Sequence, residues 1–558
     1  MKYLPLLILM AFLFPALSFG ANTYTAVNCN RSGTNSLGAL IAAASDGDTV
    51  NGPSGGGSAT WSSAVTSTAT IALINGNGCA ITASNNDVFQ LTWTNSSVVP
   101  RVTNFTINGA FGQAAFNLNG NVPAFRIDHI TVNQAYAGSN PYFAMIGYQS
   151  WTVYSRAMYG LFDHITWTCT ANSVCNAFLF YGVNQSWNAA STMGTAQAIY
   201  VEDSTFTCPS CGGMVGGTVT DSQQGAQWVL RHSTIHNEGI QEHDIGAVEA
   251  RSTRQKEVYN NTVTCGGSTT GACFDAIGMR GGTGMDFNNQ IALDVNGNTG
   301  WSTALFTQIF RVNPGGGQIP WLFAVANPNI ICAPSGSGCG GSPTGGICSD
   351  FVAHDTTSSH SICYASSSSC IANPTPSQAA AGQCGKAYYN SSITNTLLTQ
   401  FDGTGTGGYP ARDQTGAGPD TGANHVQTGG ADPEYIWNIT DPNNGGAVNY
   451  SAVTDNNAPY IEANRDYYQQ VGSFDGAAGV GVGLLSGRPT TCTAGAGGNP
   501  GAGYWATDTN TLYTCGPVNN IWSVHYKPYT YPHPLQAGAV GGPPTSTEPP
   551  TNLTVTVK

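Results

Sequence analysis

Residues Arg231 to Glu257 gather the residue types that do chemistry. The chain has 17 Lys and Arg and 30 Asp and Glu, 47 charged side chains in 558 residues, and nine of them fall in these 27 positions. They are Arg231, Glu238, Glu242, Asp244, Glu249, Arg251, Arg254, Lys256 and Glu257, joined by His232, His236 and His243. Three arrangements fit. Glu238, Glu242 and Asp244 offer the paired carboxylates that protonate a glycosidic oxygen and activate water. Alternatively, the carboxylates hold Ca²⁺ against a uronate while Arg251 or Arg254 clamps the substrate or takes a proton, the arrangement of β-elimination. Third, the charges pair with one another in a structural network, since both kinds of site perturb pKa values. His243 and, one turn of the repeat later, Arg280 extend the candidate set towards substrate binding. Trp151 and Tyr154, with Tyr159 and Trp187, offer flat faces for sugar rings.

The elements that position these residues recur. From residue 100 onward an apolar residue is followed two positions later by Asn, His or Asp, then usually by Thr and a second apolar residue. The copies are Val102-Thr-Asn104-Phe-Thr106-Ile107, Ile127-Asp-His129-Ile-Thr131-Val132, Phe162-Asp-His164-Ile-Thr166-Trp167, Val201-Glu-Asp203-Ser-Thr205-Phe206, Leu230-Arg-His232-Ser-Thr234-Ile235 and Val258-Tyr-Asn260-Asn-Thr262-Val263. A weaker copy reads Phe287-Asn-Asn289-Gln-Ile291-Ala292. Successive polar positions are 25, 35, 39, 29, 28 and 29 residues apart. A short strand at that period, with Gly, Asn, Ser and further β-formers between copies, predicts an all-β parallel β-helix solenoid. The apolar positions point inward, and the Asn/His/Asp position sits at a corner between faces. The Thr position points outward. His129, His164 and His232 thereby read as corner residues.

The opening Leu40-Ile-Ala-Ala-Ala-Ser-Asp-Gly-Asp48-Thr-Val, followed by Gly-Pro-Ser-Gly and Trp61, resembles the entry to right-handed parallel β-helix proteins of the pectate-lyase-like superfamily. The Asp-His rungs, Glu257-Val-Tyr-Asn-Asn-Thr262 and Tyr531-Pro-His-Pro-Leu535 resemble a secreted bacterial branch of it. The resemblance covers roughly 22–535 and implies a right-handed solenoid with a short N-terminal cap. It also implies a lyase or hydrolase acting on an extracellular polysaccharide in a groove, or alternatively a non-catalytic surface, adhesive or carbohydrate-binding protein. The compact Asp motifs of the family's lyases and polygalacturonases cannot be placed here without gaps.

Organisation follows. Lys2, the apolar Leu4 to Leu17, and Ser18 and Gly20 before Ala21 read as a signal peptide over 1–20, so the chain is expected to be secreted. No later run is long and apolar enough for a transmembrane segment. The solenoid domain is expected over 21–535, with a Cys-rich insertion at 331–384 and irregular coils with a cap at 388–535. A Pro/Gly-rich tail with one possible strand follows at 536–558. All 16 cysteines lie beyond the signal, an even number suited to disulfides in an oxidising compartment, with Cys492–Cys515 the expected pair. Cys208-Pro-Ser-Cys211 has no second close pair at zinc-ribbon spacing. The net charge of −13 excludes a nucleic-acid partner that needs a basic stripe.

Overall fold

A computed structural model describes residues 21–135, 142–148, 153–154, 156–169, 175–209, 217–242, 252–264, 275–292, 303–307, 359–362, 370–371, 384–388, 415–419, 431–448, 452–453, 462–495 and 499–537. The signal-peptide expectation lies outside them, and so does the expected tail beyond Ala537. Among these residues the strands gather into sheets of 17, 10, 4 and 3. The two large sheets are parallel throughout and wrap one interior, so the chain is a parallel β-helix.

The rungs stack in the expected register. Val102 pairs with Ile127, Ile127 with Phe162, Phe162 with Val201, Val201 with Leu230, and Leu230 with Val258. All six are fully buried in one core. Outward alternation continues after the corner, where Thr106, Thr131, Thr166, Thr205, Thr234 and Thr262 form one column in register. The corner itself bends the 17-stranded sheet into two faces. Asn104, His129, His164, Asp203, His232, Asn260, Asn288 and Asn438 all take φ between 52° and 61° there. Asn and Asp reach this left-handed region at lower cost than most side chains, and His is also enriched in it.

One rung differs from the sequence reading. Val258 pairs with Asp286, and the corner residue is Asn288, so the last copy runs Asp286-Phe-Asn288-Asn-Gln290-Ile291. The slip of one has a physical cause: an aspartate occupies the inward position that an apolar residue holds elsewhere. Inside the same corner Ser204, Ser233, Asn261 and Asn289 form a buried polar ladder. Each passes a backbone N–H to the side-chain oxygen of the next at 3.0–3.3 Å.

A seven-residue helix, Leu37–Ala43, buries Leu37 and Ile41 at the start of the solenoid. At the other end, strand Glu434–Trp437 pairs directly with Thr283–Phe287 and Thr415 bridges Gly282, so the chain between 307 and 415 intervenes between neighbouring coils. Three strands of that stretch, Ser359–Ile362, Cys370–Ile371 and Cys384–Tyr388, form a sheet of their own, where the sequence pattern suggested none.

The chain then builds a four-stranded sheet from Val480–Gly483, Gly503–Ala506, Thr511–Cys515 and Trp522–Tyr526. It packs on the outer flank of the solenoid, Trp505, Leu512 and Tyr526 meeting Tyr200, Tyr259, Phe287 and Trp437. This sheet covers a side of the solenoid. Cys29–Cys79, Cys169–Cys175 and the expected Cys492–Cys515 are bridged. Among the described residues no helix is long and apolar enough to cross a membrane.

Candidate functional site

Strand alternation divides the charged coil between two places. Lys256 pairs in register with Trp228, a core residue, and so points into the solenoid. Its ammonium lies 2.9 Å from Asp286 and 3.3 Å from Glu434, with all three side chains fully buried. Gly284 leaves the room: a β-carbon there would stand 3.0 Å from Lys256 Cε. Glu242 joins the cluster from the second sheet. It is fully buried and accepts the Arg280 backbone N–H at 3.1 Å through Oε2, while Oε1 has no hydrogen-bond partner. Burial pushes its carboxyl up to about 8, against the opposing pull of Lys256 and the Arg280 N–H.

The other charges face outward and are covered. The C-terminal segment after Tyr526 runs back over the flank from coil to coil. Arg231 donates to Glu202 at 2.6 Å, to the Tyr259 hydroxyl at 2.7 Å and to the carbonyls of Tyr529 and Thr530 at 2.8 Å. Glu257 accepts the Tyr526 hydroxyl at 2.5 Å and the Gly194 N–H at 2.8 Å. Burial pushes its carboxyl up to about 7. Arg254 meets Asp432 at 3.2 Å and lies over the Trp187 ring at 5.2 Å. Further along, Tyr531 stacks on His232 at 3.5 Å and donates to Asp203 at 2.6 Å. Arg126, bidentate to Asp163, also donates to the carbonyls of Leu535 and Gln536. His533, a residue of this strap, is buried against the flank, its imidazole held neutral by burial and by Arg231 and Arg126, which lower it to about 3.

Glu238, Glu242 and Arg254 therefore do not line an open groove: the two carboxylates are buried, and Arg254 is enclosed by Trp187, Ala189 and Asp432. Glu238 is packed against Gly217, and burial raises its carboxyl well above the usual range. Arg280 is 7% exposed, and Trp187, fully buried, donates its indole N–H to the Ser252 carbonyl. Tyr154 is half-buried. Asp244, Arg251, His243 and Trp151 lie outside the described residues. The lumen carboxylates do not fit the Ca²⁺ considered from the sequence, since the Lys256 ammonium already takes the cation's place between Asp286 and Glu434. Among the described residues no three His, Cys, Asp or Glu side chains gather as a metal site.

Two arrangements turned away from the core were missed. The first is the outer face of the 10-stranded sheet, where exposed Gln90, buried Asn117, Met145 and Leu179, and half-buried Asp221 share one register column. Met145 and Leu179 form an apolar patch with Ala114, flanked by Tyr142 and Tyr181 and separate from the core. Tyr142 donates to Asp221 at 3.1 Å, Gln223 donates to the Tyr181 hydroxyl at 3.1 Å, and Tyr148 meets Tyr181 edge-on at 5.2 Å. Burial raises both Tyr142 and Tyr181 phenols, and the nearby Asp221 charge adds to it. Polar and aromatic residues inside strands Ala114–Gly120, Tyr142–Ile146, Asn176–Tyr181 and Thr218–Gln223 are the sequence signal for this face. The second is the pair of Asp-His rungs at the corner. His129 and His164 are 50% and 45% exposed and stack in parallel.

The solenoid class rests on this architecture alone: compared with protein-family models, curated proteins and solved structures, the chain matches none.

Proposed function

We propose that this chain binds an extended extracellular polysaccharide along the outer face of its 10-stranded sheet. The observation that carries this reading is the Tyr142–Asp221–Tyr181–Gln223–Tyr148 group. Its half-buried aromatic faces lie beside a carboxylate and an amide, the combination that orients a pyranose ring by stacking and by hydrogen bonds to its hydroxyls. Binding is favoured over cleavage because the described candidate acids, Glu238 and Glu242, are buried. A glycosidic oxygen cannot reach them.

The test is retention of the secreted protein on a panel of neutral and acidic polysaccharides by affinity electrophoresis. Tyr181→Ala is expected to weaken binding by roughly tenfold, about 1.4 kcal/mol, and Asp221→Asn to weaken it as well. Wild-type protein that no glycan retards, or variants retarded like wild type, would overturn the proposal. The same samples are assayed for new reducing ends and unsaturated products. Glycan cleavage abolished by Asp244→Asn or Arg251→Ala would instead assign a hydrolase or lyase whose acids lie in 243–251.

A further inference from the structure

We propose that Lys256 and Asp286 close a covalent cross-link, a side-chain isopeptide bond that joins neighbouring coils inside the solenoid. The two residues lie on adjacent parallel strands, Gln255–Tyr259 and Thr283–Phe287, where Lys256 pairs with Gly284 and Val258 with Asp286. Both point inward, one diagonal step apart in the ladder. Lys256 Nζ stands 2.9 Å from Asp286 Oδ2 and 3.3 Å from Glu434 Oε1, and none of the three side chains has exposed surface. Asp286 Oδ1 has no hydrogen-bond partner, a cost in a buried carboxylate that calls for an explanation.

The ion pair is the state from which the bond closes. Burial pulls the Lys256 amine towards its neutral form, but the charges of Asp286, Glu434 and Glu242 outweigh it and hold the ammonium. The first step is therefore a proton transfer from Nζ to Asp286 Oδ2 along their hydrogen bond. The neutral amine then adds to Asp286 Cγ, forming the Nζ–Cγ bond. Glu434 takes a second proton from Nζ and returns it to Oδ2, which leaves with the electron pair of the broken Cγ–Oδ2 bond as water. One ammonium and one carboxylate become one amide and one water, with no oxidant, reductant or external proton. Well-oriented intramolecular partners reach effective concentrations of about 10⁵–10⁸ M. Two charges that are costly to hold out of water also disappear. The bond staples the strand at 283–287 to its neighbour just before the chain between 307 and 415 departs from the coils.

The test is a tryptic peptide map of the full chain by mass spectrometry, after reduction and alkylation so that no disulfide joins peptides. Trypsin cuts after a free lysine but not after an acylated one. Wild type is expected to stay uncut at Lys256 and to yield Gln255–Arg280 joined to Gly281–Arg311, one water lighter than the two peptides together. Lys256→Met, which has no amine, is expected to release the same two stretches unjoined. A succinimide at Asp46-Gly47 or Asp475-Gly476 would also remove one water, so fragment sequencing and not intact mass places the bond. Wild type that is cut after Lys256 and releases Gly281–Arg311 alone would overturn the cross-link. So would a join between Lys256 and Glu434 in place of Asp286, or the same joined peptide from Lys256→Met.

Discussion

Replacing Glu242 by glutamine separates a buried structural acid from an exposed catalytic one. The carboxyl titrates near 8 in the fold against 4.5 ordinarily, because burial penalises its charge. A group raised in this way lends stability that is complete below 4.5 and is lost as pH climbs through 8. At about 1.4 kcal/mol for each pH unit between those values, the loss reaches at most about 5 kcal/mol. Glutamine has the shape of the neutral acid and keeps an acceptor for the Arg280 N–H, but it cannot ionise. Glu242→Gln is therefore expected to melt within a few degrees of wild type at pH 5, and well above it at pH 9. Differential scanning calorimetry across that range gives the comparison. Wild type keeps a further decline from Glu257, near 7 and raised in the same sense, so the difference between the two curves is what reports Glu242. A variant that parallels wild type at every pH, or that is strongly destabilised at pH 5, would refute a neutral, fully buried Glu242.

Three other outcomes follow from the same structure. Lys256→Met leaves Asp286 and Glu434 without their cation inside the solenoid, and a urea titration is expected to show a loss of about 3–5 kcal/mol. Tyr531→Ala removes the ring from His232 and the hydroxyl from Asp203. It is expected to cost about 1–2 kcal/mol, with hydrogen exchange speeding up at strap and coil amides near Arg231 and leaving Val102 to Val132 unchanged. Peptide mapping without reduction is expected to recover Cys29–Cys79, Cys169–Cys175 and Cys492–Cys515 as linked pairs, and free thiols at these positions would contradict the fold.

The solenoid was legible because its rungs repeat an inward–corner–outward order that only one register satisfies. Val102 through Val258 fall into line from sequence spacing alone, and His129, His164 and His232 sit at corners as that spacing requires. The copy at 286–291 was misread because the rule looked for an apolar residue where Asp286 stands. Taken with its neighbour, that misfit was informative: Lys256 occupies another inward position one coil earlier. A cation and an anion at inward sites of adjacent coils signal an ion pair in the lumen, not a groove.

The crowding of charge around 231–257 has a second cause that no local pattern could reveal. Arg231 and Glu257 point outward, which in a rung normally means solvent. They are buried because residues more than 250 positions later, from Tyr526 to Thr530, return across the flank and bring carbonyls and a phenol to meet them. An arginine in a strand next to a face that is to be covered must find acceptors in the cover, and Arg126 and Arg231 find backbone carbonyls there. The charged coil is thus the seam along which the C-terminal segment is fastened to the solenoid.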